Sequence, residues 1–264
     1  MRRRPGRLLG AGSVLLLGLA GCGDGGAGTQ REWQSSASGD ITVFAAASLT
    51  EAFKEIEQAF EEANPGADLQ FNFAGSSTLS RQINQGAPAD VFASASPKQM
   101  QKVVDADNAG GDPTVFVANK LQIVVPEGNP ANVTGLADLG KQELDIALCA
   151  EEVPCGDLSQ TVFEAAGITP SPDTLEQDVK AVLTKVTLGE TDAGLVYRTD
   201  VAAADEAEVD GIDLPAAVEA VNEYPIVTLA EAPNAETGQA FVDYVLSDEG
   251  KAVLEDYGFG TDVG

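Results

Sequence analysis

FAAASLTEAF, residues 44–53, decides how this chain is to be read. Upstream, Ile41-Thr42-Val43 opens a short apolar run rich in β-branched residues, which predicts a strand. Downstream, Leu49, Ala52, Phe53, Ile56, Phe60 and Ala63 recur at helical spacing, with Glu51, Glu55, Glu57, Glu61 and Glu62 on other faces. Between them lie three alanines and a serine, with almost no side chain to bury. Ser48-Leu49-Thr50-Glu51 fits a capping box, in which serine and glutamate satisfy the first N–H groups of the helix. Residues this small also let a ligand reach the backbone, so the turn has a structural reading and a binding one.

The same alternation continues along the chain. Asn64-Pro65-Gly66 ends the first helix, 68–75 alternates as a strand, 76–87 is helical, and 89–96 is a third strand. A helix follows with Pro97 at its first position. Further strands are expected at 120–128, 143–149, 191–201 and 224–229, and two helices close the chain. Strands alternating with helices of about 10–15 residues indicate an α/β architecture with mostly parallel sheets. Such sheets place ligands at the carboxyl ends of their strands.

The N-terminus carries Arg2, Arg3, Arg4 and Arg7, then an apolar run from Leu8 to Ala20, then Leu19-Ala20-Gly21-Cys22. That is an export signal, and it resembles the bacterial lipoprotein lipobox, whose cysteine is lipidated and becomes the first mature residue. Residues 1–21 are then the signal peptide. The alternative is an ordinary signal peptide with an incidental cysteine; the apolar run is too short to span a bilayer. Gly23 to Asp40 is rich in Gly and Ser and is expected to be a flexible tether with a reach of roughly 23 Å.

Cleavage before Cys22 leaves 11 Lys+Arg against 42 Asp+Glu, a charge of about −31. Such a surface argues against nucleic acid and anionic lipid as partners. The chain has no histidine, so the commonest general base and the commonest zinc ligand are both missing. It has no G-x-S-x-G either, which leaves a serine hydrolase without nucleophile elbow or base. Cys149 and Cys155 lie six apart, and in an exported protein a disulfide closing a small loop is expected; two buried free thiols are the alternative.

Four strand-to-helix turns stand out, at Ser48, at Ser76-Ser77-Thr78, at Cys155-Gly156 and at Asp178-Val179. The first turn of a helix carries unpaired N–H groups and a partial positive charge, and small residues leave them open to an anion. At Ser76 no acid stands three residues on to complete a capping box, so its donors are open. Asp178 reads as an ordinary N-cap.

The segments ITVFAAASLTEAF, FNFAGSSTLSRQINQGAPADVFASAS, VPCGDLSQ, LEQDVKAVLTKV and AGLVYRTDV, in this order from Ile41 to Phe259, resemble the molybdate-binding proteins of bacterial molybdate importers of the ABC type. The resemblance implies a periplasmic binding protein of type II, two α/β lobes joined by two hinge crossings and closing on an oxyanion. Lobe 1 would be 41–118 with 225–264, lobe 2 would be 119–224, and the hinge would lie near Asn119-Lys120 and Glu223-Tyr224. It implies molybdate or tungstate as the ligand, molybdenum entering only as the oxyanion. Ser48 and Ser76 would bind with their hydroxyls, Cys155 and Val179 with backbone N–H groups, and Tyr197 with its phenol. Cys155 stands where alanine is common in the family, and Asp157, two residues on, is expected to turn away from the anion.

On the same resemblance the chain would be no enzyme and would need no cofactor. It would be a monomer, lipid-anchored to the outer face of the cytoplasmic membrane, delivering its ligand to an ABC permease. A sulfate or other small-anion binder of the same fold is the rival reading. An iron binder would want adjacent tyrosines or carboxylates at the cleft, and one tyrosine is in place. An adhesion lipoprotein would have no use for open helix N-termini.

Overall fold

The computed structural model describes residues 37–205 and 207–263; the expected signal segment, Cys22 and most of the tether lie outside them. In chain order the elements are β1 (Ser38–Ala46), α1 (Thr50–Ala63), β2 (Gly66–Ala74), α2 (Ser76–Asn84), β3 (Val91–Ala93) and α3 (Pro97–Val104). Then come β4 (Thr114–Pro126), β5 (Ile146–Cys149), α4 (Pro154–Ala166), β6 (Thr174–Glu176) and α5 (Val179–Thr187). The remainder is β7 (Ala193–Tyr197), α6 (Arg198–Ala202), β8 (Val209–Asp213), β9 (Val221–Thr228), α7 (Ala235–Val245) and α8 (Asp248–Asp256).

Two parallel trios of strands form the frame. β1 lies between β2 and β3, with Val43 opposite both Phe71 and Val91. β5 lies between β6 and β7, with Ala147 opposite Thr174 and Gly194. Two strands join the trios: β9 pairs antiparallel with β3, β4 pairs antiparallel with β7, and β4 pairs with β9 through Asn119 opposite Asn222. The path among the described residues runs β2-β1-β3-β9-β4-β7-β5-β6, with β8 on the side of β4. The expected α/β fold is present, and parallel pairing is confined to the trios.

Each trio has its own core. Under the first, α1 buries Ala52, Phe53, Ile56 and Phe60 as its spacing predicts. Phe53 and Phe60 both meet the edge of Phe241, with ring centroids 5.9 and 5.6 Å apart. A satellite cluster of Leu79, Phe92, Met100 and Val103 packs beneath α2 and α3. The second core gathers Ile123, Val124, Leu139, Ile146, Val182, Val186 and Leu195. Burying such a side chain stabilises the fold by about 1.5–3 kcal/mol each. Ala63 is exposed, because the last turn of α1 runs past the core.

Several bounds differ from the sequence reading. β1 begins at Ser38 rather than Ile41, since Ser38 pairs with Gly66 and hydrogen-bonds Thr237. β3 is three residues long, because Ser94 and Ser96 leave the ladder and the Ser94 hydroxyl bonds the Ser96 carbonyl at 2.9 Å. β4 starts at Thr114, its first half paired with β9. The short β6, β8 and the 3₁₀ turn Leu136–Gly140 carry no strong periodicity and were not expected.

Candidate functional site

Parallel pairing puts the carboxyl ends of the strands in each trio on one side. The turns after β1, β2 and β3 hold Ser48, Ser76 and Ala95. Those after β5 and β6 hold Cys155 and Val179, and β7 ends at Tyr197. All six residues line one small pocket between the trios, with about 200 Å³ of atom-free space that takes in part of the open solvent at its mouth. Ala46, Ala47, Gly75, Val153, Pro154 and Asp178 complete the lining. The structure therefore brings together the five residues expected to hold the oxyanion, Ser48, Ser76, Cys155, Val179 and Tyr197, from segments up to 149 residues apart in the chain.

Three helix N-termini converge there. In α2 the first helical bonds run from Thr78 N and Leu79 N to Gly75 O at 2.9 and 3.1 Å, so Ser76 N–H and Ser77 N–H have no helical partner. In α4 the first is Asp157 N to Val153 O at 2.9 Å, which leaves the N–H groups of Cys155 and Gly156. In α5 the Asp178 carboxylate accepts from Ala181 N at 2.9 Å, the N-cap that the sequence predicts, and Val179 N–H stays unclaimed by the helix. Asp178 is the one acidic residue in the lining, and its charge is turned onto its own helix.

The hydroxyls are held by their acceptor sides. Ser76 Oγ accepts from Ala95 N at 2.9 Å, and Tyr197 Oη accepts from Asn222 Nδ2 at 2.7 Å. Both retain a proton to donate. Asn222 also donates to Ala95 O, tying the wall around β3 to the wall around β7. Burial pushes the Tyr197 phenol well above its ordinary pKa, against the Asn222 hydrogen bond, so it remains protonated.

At Ser48 the structure departs from the capping-box reading. Ser48 lies inside a 3₁₀ turn, Ala47–Leu49, and the α1 N-cap is Leu49, with no side-chain cap. Ser48 Oγ instead shares a 2.9 Å hydrogen bond with the buried Tyr224 Oη. Glu51, the other half of the expected box, reaches Lys180 at 2.8 Å. Tyr224 and Asn222 were not foreseen as part of the site. They sit on β9; the strand was expected only from residue 224, which left Asn222 outside it, and Tyr224 was expected at a hinge crossing rather than at the site.

The two walls touch around the cavity. Asp157 turns outward and pairs with Lys98 at 2.6 Å, from α4 to α3. Gln99 Nε2 donates to Glu152 O at 2.9 Å. Gly75 faces Gln177: a Cβ at Gly75 would lie 2.3 Å from the Gln177 carbonyl oxygen. Behind the second wall a disulfide joins Cys149 to Cys155, their Cα atoms 5.8 Å apart. It closes the turn where a Cβ at Gly156 would lie 2.0 Å from Ala150 O.

Residues 41–260 match the family model described as bacterial extracellular solute-binding protein. The chain belongs to this family. It is 38% identical over 247 residues, 94% of each chain, to the molybdate-binding protein ModA of Mycobacterium tuberculosis, and so belongs with the molybdate-binding proteins within it. Among solved structures, the periplasmic molybdate-binding protein of Azotobacter vinelandii shares the fold at TM-score 0.72 and 18% identity, covering 83% of this chain and 98% of that one. The sulfate-binding protein SubI of Mycobacterium tuberculosis does so at TM-score 0.76 and 17% identity, covering 84% and 87%. As a member of an extracellular solute-binding family the protein is a transport-associated binding protein.

Proposed function

We propose that the protein captures molybdate, and tungstate with the same donors, outside the cytoplasm and delivers it to an ABC importer permease. The carrying observation is one cavity where two serine hydroxyls, a tyrosine hydroxyl and three helix N-termini meet with no cationic side chain in the lining. The hydroxyls of Ser48, Ser76 and Tyr197 and the N–H groups of Cys155 and Val179 would hold the oxyanion.

A tetrahedral dianion needs neutral donors if no cation lies beside it. Hydrogen bonds to charged groups contribute roughly 1.5–3 kcal/mol each. Five to seven of them cover the ~12 kcal/mol of a nanomolar site after the costs of association. An acid facing the anion would accept a proton from a hydrogen-bearing oxyanion; with the Asp178 carboxylate turned onto Ala181 N, the groups left to face it are donors, which favours fully deprotonated anions. Choice among molybdate, tungstate and sulfate then rests on cavity size. The two larger anions are close in size, and sulfate is smaller.

Capture would involve closure of two lobes, 41–118 with 225–264 against 119–224, about the β4 and β9 crossings. Cys22 would carry the lipid that holds the protein to the outer face of the cytoplasmic membrane. The protein would act without a cofactor, as a monomer and not as an enzyme. Calorimetric titration of the tether-free protein with molybdate, tungstate and sulfate tests this. Tight one-to-one binding of the first two with sulfate silent is the expected result. Preferential sulfate binding would give the rival reading, and no heat from folded protein would overturn both.

A further inference from the structure

Lys180 follows Val179 in the first turn of α5, directly behind the cavity wall, and its ammonium is shared by two carboxylates. One is Asp200 of α6, fully buried, with Oδ1 3.1 Å from Lys180 Nζ. That contact is an ion pair whose angles do not make a hydrogen bond. The other Asp200 oxygen accepts from Tyr197 N at 3.1 Å. The second carboxylate is Glu51, in the first turn of α1 beyond the cleft, at 2.8 Å. Burial alone would pull the ammonium pKa down, but Asp200 and Glu51 outweigh it and hold it above the ordinary lysine range. The same burial raises the Asp200 carboxyl, with Lys180 opposing.

Lys180 and Asp200 therefore share an ion pair within one wall, joined to the backbone of Tyr197 and next in sequence to Val179. Glu51 belongs to the other wall, three residues after Ser48. We propose that Lys180 is a positioning residue that latches the cleft: its ion pair with Glu51 forms when the walls meet around the anion, and its ion pair with Asp200 holds Val179 and Tyr197 in line as it does so. This rests on the reading of the cavity as an oxyanion site.

The latch differs from the other ion pair between the walls. Lys98 and Asp157 have side chains 61% and 41% exposed, against 25% for Lys180 and 37% for Glu51. A solvent-exposed pair contributes little to holding two surfaces together, and a partly buried pair contributes more. Contacts made only in the closed form slow escape of the ligand rather than its arrival.

The decisive variant is Glu51→Gln, which leaves every lining residue in place and removes no buried partner. Dissociation of radiolabelled molybdate is measured by dilution into excess cold ligand, and association by rapid mixing. The expected result is a dissociation rate raised about three- to tenfold with association within about twofold, and Lys98→Gln changing neither by more than about twofold. In a double-mutant cycle with Lys180→Gln, the two changes should be less than additive. Glu51 also interacts with the α1 dipole; loss of that contribution would lower melting of ligand-free and liganded protein alike and leave the rate where it is. An unchanged dissociation rate in a variant that binds molybdate one-to-one would overturn the latch and leave oxyanion capture standing. Failure of the unmodified protein to bind molybdate would remove both.

Discussion

The two walls of the cavity offer their donors in different ways. The wall built on β1, β2 and β3 adds serine hydroxyls to the one helix N-terminus it presents, that of α2: Ser76 is held by a backbone N–H from the neighbouring turn and Ser48 by Tyr224. The wall built on β5, β6 and β7 presents the first-turn N–H groups of Cys155 and Val179 and one phenol. A hydroxyl is a side chain, so its position can be changed by one substitution. A backbone N–H cannot be removed that way; it can only be displaced. The first wall should therefore be sensitive to deletion of atoms, and the second to whatever disturbs its turns.

Tyr197→Phe is the sharpest way to break the contrast, because it deletes the one side-chain donor of the second wall and also strips Asn222 Nδ2 of an acceptor. Molybdate affinity should fall about 100-fold in calorimetric titration. An effect below about threefold would mean that the phenol does not touch the anion. Ser76→Ala should cost about 10- to 50-fold, since it removes a donor and leaves Ala95 N without its partner.

Gly75→Ala tests the contact between the walls rather than either wall alone. The added methyl would collide with the Gln177 carbonyl, and overpacking of this kind costs about 1–3 kcal/mol. That is about 5- to 150-fold in affinity if it acts only when the walls meet. Melting of the ligand-free protein should then change little, and scattering should show less compaction on adding molybdate. Reducing the Cys149–Cys155 bond should have a smaller effect, about two- to fivefold in affinity, because the turn at Gly156 remains packed against Ala150. Measuring affinity with and without reductant checks this.

The smallest expected effect on binding comes from acid. Asp138, in the turn Leu136–Gly140, has its carboxyl lowered to about 2, chiefly by the Lys141 hydrogen bond and then by Thr134 N–H. A depressed folded-state value means the stabilisation is present above the unfolded carboxylate range near 4. It is lost as pH falls through about 2. Asp138→Asn should flatten the pH dependence of melting between about 4 and 2, with no change in molybdate affinity at pH 7. A shift in affinity would mean that the second core and its turns are coupled to the cavity.

The strand-helix alternation, the long apolar faces of α1, α2 and α4, and the small residues at Ser48 and Ser76 were plain in the sequence. The turns at Cys155 and Val179 stood out as helix starts; the resemblance gave them a binding role and added Tyr197. What escaped was support. Asn222 lies before the strand expected at 224–229 and Tyr224 at its first residue, and their partners, Tyr197 and Ser48, are 25 and 176 residues away. Glu51 was legible as a local capping acid and was drawn instead to Lys180, because a cation with a buried carboxylate behind it outcompetes one helix N–H.

The sequence by itself determined which segments are strands and helices, and which turns carry small, hydroxylic residues at helix N-termini. Periodicity and side-chain volume act over a few residues, so one chain segment contains all the information needed to read them. Only the tertiary structure decided that six strand ends meet around one cavity, and that Asp157, expected to turn outward, does so onto Lys98. It also decided that the Ser76 and Tyr197 hydroxyls keep a proton to give. Those outcomes depend on strand order and on contacts between segments far apart in the chain, where competing partners are ranked by distance and burial.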